Sequence, residues 1–123
     1  MPKLTQWFNQ AVVERVIDGD TFTCSIILGF GLTLWSVVRI RGYDAPEVNG
    51  VHIAEAGRCR SLLLSLLPPG KKIVLCHTFH DRDKYGRVLA YVLMPGNVDI
   101  VTLLPQEYRT TRRGRPRKNI FHR

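Results

Sequence analysis

The chain has 123 residues, 45% hydrophobic and 23% charged, values that fit one globular domain and exclude a wholly disordered chain. Its formal net charge of +8 is concentrated in residues 109–123, RTTRRGRPRKNIFHR, a run without a single acid. Such a tail meets a polyanion by releasing counterions from phosphates, or is simply solvated. No stretch has the length of a membrane span, and MPKLTQWFNQ lacks the apolar run and cleavage site of a secretory signal. A cytoplasmic chain without a membrane partner is therefore expected. Cys24, Cys59 and Cys76 form no CxxC pair and no His/Cys cluster at zinc spacing. Their odd number argues against a complete disulfide framework, so they read as core or half-buried thiols in a reducing compartment.

Residues 1–10 read as an N-terminal extension, 11–108 as the folded domain and 109–123 as a basic tail. From 11 to 28 the chain is rich in Val, Ile, Thr and Phe, broken by Asp18-Gly19-Asp20. Beyond the break Phe22, Cys24 and Ile26 alternate with Thr21, Thr23 and Ser25, so the segment predicts strand, turn, strand. Gly29-Phe30-Gly31 is a second turn. Residues 32–43 predict a third strand, ended by Asp44-Ala45-Pro46. Residues 55–67 predict a helix: Leu62, Leu63, Leu66 and Leu67 share a side, and Pro68-Pro69-Gly70 stops it. Residues 71–79 and 88–94 predict two more strands around the turn-rich stretch 81–87. A short second helix is expected over 97–104, cut off by Pro105. Five short strands with a helix after the third predict a mainly β fold with helices, a small closed or nearly closed barrel like the oligonucleotide-binding fold.

Four features at strand ends bear on chemistry: Asp18-Gly19-Asp20-Thr21, the stretch from Arg39 to Glu47, Asp83-Lys84-Tyr85-Gly86-Arg87, and the Arg-rich tail. Each has an ordinary structural reading. Asp-Gly-Asp makes a turn, Asp44 to Glu47 starts a loop, Tyr85-Gly86 closes a hairpin, and Arg39 and Arg41 face solvent. Together they place three carboxylates (Asp20, Asp44, Glu47) and several arginines at barrel strand ends. Clustered carboxylates repel unless a cation or arginines compensate them. Hard oxygens of this kind suit Ca²⁺ or Mg²⁺ rather than zinc. Hydrolysis of a phosphodiester needs a metal on a phosphate oxygen, a group that orients or deprotonates water, and positive charge for the transition state.

The stretches Val16-Ile-Asp-Gly-Asp-Thr21, Val38-Arg-Ile-Arg-Gly-Tyr-Asp-Ala-Pro-Glu47 and Asp83-Lys-Tyr-Gly-Arg-Val-Leu-Ala-Tyr91 resemble the staphylococcal nucleases, or thermonucleases, in order and spacing. The resemblance covers about residues 11–100. It implies a five-stranded barrel of that type and a calcium-dependent endonuclease that hydrolyses DNA, RNA or both with little sequence preference. Asp20, Asp44 and the Ala45 carbonyl would hold calcium, or less readily magnesium. Glu47 would activate or position water, Arg39 and Arg87 would stabilise phosphate charge, and Lys84 and Tyr85 would line the nucleotide pocket. Ala45 departs from the founding member's threonine, losing a hydroxyl but keeping the carbonyl.

The C-terminal part departs further. The family has a fuller second helix and a third helix on the barrel. Here Pro105, Gly114 and Pro116 oppose both, and the third helix is expected to be missing. Tyr108 is a loose counterpart of the family's pocket tyrosines. A partner or self-association would then cover exposed apolar surface. Arg113-Gly114-Arg115-Pro116, flanked by Arg112, Arg117 and Lys118, resembles an AT-hook, a minor-groove segment; a generic phosphate-binding tail is the alternative. Two further readings stay open: a nucleic-acid-binding barrel without turnover that uses this tail, and a scaffold held by calcium.

Overall fold

The computed structural model describes residues 6–47, 52–78 and 82–110. Strand β1 (Gln6–Asp18) is long enough to serve both sides of a barrel. Its second half pairs antiparallel with β2 (Thr21–Gly29), and its first half pairs antiparallel with β4 (Lys72–Thr78). A register shift between Val13 and Arg15 marks a bulge on the β2 side, and such bulges bend a strand. Strand β3 (Leu32–Ile40) returns along β2, and β5 (Val88–Met94) pairs with β4. A parallel pairing of β3 with β5, Val38↔Val88 to Ile40↔Ala90, closes the ring. The result is an oligonucleotide-binding-like barrel with one main helix and a two-residue strand β6 (Val98–Asp99) appended to β5.

The core follows from strand alternation. Phe22, Cys24, Val38, Ile40, Ala90 and Val92 point inward, and each is 0% exposed. Helix α1 (Ile53–Leu66) covers one end of the barrel with Ala56, Cys59 and Leu63. Glu55 in its first turn suits the positive end of the helix dipole. Gly70, at φ 90°, turns the chain into β4, and its amide donates to the Val13 carbonyl at 2.8 Å. All three cysteines are free and buried.

Several sequence expectations need correction. The first strand starts at Gln6, inside the stretch read as an extension, because β4 offers it a ladder from Gln6↔Thr78 onward. β3 ends at Ile40 rather than residue 43, since Arg41-Gly42 forms a turn with Gly42 at φ 90°. The expected second helix over 97–104 is β6 followed by a 3₁₀ turn, Ile100–Leu103. Asn97 at φ 60° and the Asp99 carboxylate, which accepts from the Val101 amide at 3.1 Å, start that turn afresh. A second 3₁₀ turn, Gln106–Tyr108, leads into an isolated bridge between Tyr43 and Arg109. The folded body therefore includes Arg109 and Thr110, which the sequence assigned to the tail. The tail residues Arg112, Arg113, Arg115, Arg117 and Lys118 lie outside the described residues.

Candidate active site

The turn between β1 and β2 packs tightly beneath the site. A Cβ on Gly19 would lie 2.7 Å from Cys59 Cβ and 2.8 Å from Ala45 Cβ. Gly19 is thus required by close packing among turn, helix and loop, and not by a positive φ, which it does not have. Asp20 follows, 6% exposed. Its Oδ1 accepts from Thr21 Oγ1 at 2.8 Å, and its Oδ2 accepts from the Ala45 amide at 2.9 Å and Arg39 Nη2 at 3.4 Å. Burial pushes the Asp20 carboxyl above the usual carboxylate range, against the opposing pull of Arg39 and these hydrogen bonds.

Arg39 sits opposite Thr21 in the β2–β3 ladder, and the Ile40 amide donates to the Asp20 carbonyl at 2.9 Å. The Arg39 guanidinium also donates to Asp44 Oδ1 at 2.7 Å. One arginine thus gathers the two carboxylates. The Asp44 side chain is 65% exposed, so the pair contributes little to stability and acts chiefly to position the groups. The loop carrying Asp44 is clasped from the C-terminal side. Tyr43 Oη donates to the Pro105 carbonyl at 3.0 Å, the Asp44 amide to the Tyr108 carbonyl at 2.9 Å, and the Thr110 amide to the Gly42 carbonyl at 3.0 Å.

Arg87 precedes β5 with the outward parity of Leu89, the parallel partner of Arg39. Both arginines therefore belong to one outer face of neighbouring strands. Asp83 fixes Arg87, accepting from its Nε at 2.6 Å and from its amide and that of Tyr85 at 2.9 Å. Burial raises the Asp83 carboxyl, but these bonds outweigh it and hold the group below the usual range. Tyr85, 72% exposed, lies under both Arg87 and Lys84, with cation-to-centroid distances of 5.3 and 5.4 Å. Glu47 is exposed at the end of a described stretch.

The structure therefore brings Asp20, Arg39, Asp44 and Ala45 into direct contact and forms a second cluster from Asp83, Lys84, Tyr85 and Arg87. Among the described residues, no group of three His, Cys, Asp or Glu gathers at one point, so Glu47 is not joined to Asp20 and Asp44. Sequence reasoning gave no role to Asp83 or Thr21, nor to the Tyr43 clasp. A signal existed for Asp83, since an acid four residues before an arginine across a Gly turn is placed to pair with it.

Two curated proteins, from Escherichia coli and Escherichia coli O157:H7, each carry the name "Uncharacterized endonuclease". Each is 32% identical to the chain over 90 residues, 72% of this chain and 50% of the relative. The chain spans about half the length of these curated relatives. No family model matches the chain. Among the described residues, no helix is long and apolar enough to cross a membrane.

Proposed function

We propose that the chain carries the catalytic site of a divalent-cation-dependent endonuclease that hydrolyses phosphodiester bonds of DNA, RNA or both. The observation that carries this reading is the convergence of Asp20 and Asp44 on the Arg39 guanidinium at the barrel's edge. The similarity to proteins named as endonucleases supports it.

The donor chemistry fits calcium, and less closely magnesium. Asp20 and Asp44, which meet at one guanidinium, would supply anionic oxygens to such an ion, with the Ala45 carbonyl and water completing its shell. When bound, such an ion draws charge from a phosphate oxygen. The chain's own residues supply the rest. Arg39 and Arg87 offer planar donors to the phosphate and to its developing charge. Glu47, exposed beyond the Asp44 loop, orients the attacking water and takes its proton. Lys84 and Tyr85 receive the nucleotide, the tyrosine by its ring face.

The test is cleavage of single-stranded DNA with calcium, magnesium or chelator, beside Asp44→Ala. Calcium-dependent cutting that the variant lacks is the expected result. A folded chain that binds the strand but never cuts would identify a binding module instead.

A further inference from the structure

Trp35 lies on β3 four residues before Arg39, so strand alternation puts both on the same outer face of the barrel. The separation is about 13 Å at the rise of a β-strand. Because β3 and β5 run parallel, residues preceding Arg39 lie toward the side from which Arg87 enters the face. The Trp35 residue is 58% exposed, unusual for so large an apolar ring. Its edge is nevertheless fixed: Nε1 donates to Glu14 Oε1 at 2.8 Å. Glu14 is itself held by Thr23 Oγ1 at 2.7 Å, and Thr23 is only 1% exposed. The bulge in β1 exposes Glu14 and Arg15 side by side, placing an arginine next to this assembly.

An indole anchored at its edge and open at its face is pre-ordered for stacking, at little further entropy cost. In small barrels of this kind the outer face of the second and third strands is suited to carry oligonucleotides. We propose that Trp35 is a base-stacking subsite for single-stranded nucleic acid, continuous with the Arg39–Arg87 face and set by Glu14 and Thr23. The inference rests on the nucleic-acid reading above and extends it from the scissile phosphate to the flanking bases. An unpaired strand is required, because a base inside a duplex cannot present its face to a side chain.

Trp35→Leu removes the ring, and Trp7→Phe leaves Trp35 the sole tryptophan for fluorescence. Oligothymidylate is titrated into the full chain in chelator, at raised salt so that tail contacts are weakened. Saturable quenching of Trp35 is expected, with affinity about tenfold lower in Trp35→Leu and largely kept in Trp35→Phe. Absent quenching, or equal affinity in Trp35→Leu, overturns the subsite. Emission that follows protein concentration instead of oligothymidylate also overturns it, marking the face as a contact between copies. Quenching in a chain that never cuts with calcium supports the subsite while removing the nuclease reading.

Discussion

Gly19 and Cys59 approach so closely that a Cβ on the glycine would lie 2.7 Å from the cysteine's own Cβ. The contact ties the turn bearing Asp20 to α1, and Ala45 Cβ at 2.8 Å ties it to the Asp44 loop. Gly19→Ala is therefore expected to lower stability by about 1–3 kcal/mol, as overpacking of a rigid core does. The urea midpoint measures this. An unchanged midpoint would show that helix and loop move apart freely, which their buried positions oppose.

Asp20 is expected to show opposite effects on stability and activity. Burial raises its folded pKa, so its ionised form costs stability; the cost is absent below the usual carboxylate range and grows as pH rises through the folded value. Asp20→Asn keeps the shape and removes the charge. Turnover should fall at least about a hundredfold, while stability at neutral pH rises by roughly 0.5–2 kcal/mol, as when a strained functional group is removed. The gain should vanish near pH ~3, where the parent carboxyl is itself protonated. Thermal melts across pH decide it; a variant less stable at neutral pH than the parent would mean that the bonds from Ala45, Thr21 and Arg39 outweigh desolvation.

Asp83 has the reverse sign. Its folded pKa is depressed, so its contribution is present above the usual carboxylate range and lost as pH falls through the folded value. The Tyr85 and Arg87 amides should stay protected from hydrogen exchange through the usual carboxylate range and lose protection only as pH falls below it. Asp83→Ala should strip that protection at all pH values and lower kcat about tenfold by freeing Arg87. Unaltered kcat with lost protection would remove Arg87 from the reacting centre.

Much of this site is legible in sequence because its residues sit in short stretches at strand ends. Asp18-Gly19-Asp20 had to turn, and Phe22, Cys24 and Ile26 had to face inward, which fixes where Asp20 and Arg39 emerge. Ring closure is less legible, since the β3–β5 pairing joins Val38 to Val88, segments far apart in the chain that no local pattern connects. The stretch 97–104 misleads because Ile100, Val101 and Leu104 have helical spacing, yet the chain buries them around a 3₁₀ turn. Trp35 gave no signal: its period marks an outward position, and only the Glu14 bond shows that the ring is held.

Arg109 bridges to Tyr43, and the Thr110 amide donates to the Gly42 carbonyl, so these two residues brace the loop that presents Asp44. Truncation after Tyr108 should therefore loosen the site, lowering both kcat and the thermal midpoint. Truncation after Thr110 should leave kcat near its parent value and weaken binding through charge alone. Its mark is a shallower dependence of affinity on salt, by roughly 0.7 for each phosphate of a single strand that the basic residues no longer neutralise. Identical kcat in the two truncations would show that the clasp does not position Asp44. An unchanged salt slope after removal of the residues beyond Thr110 would show that they do not meet the substrate.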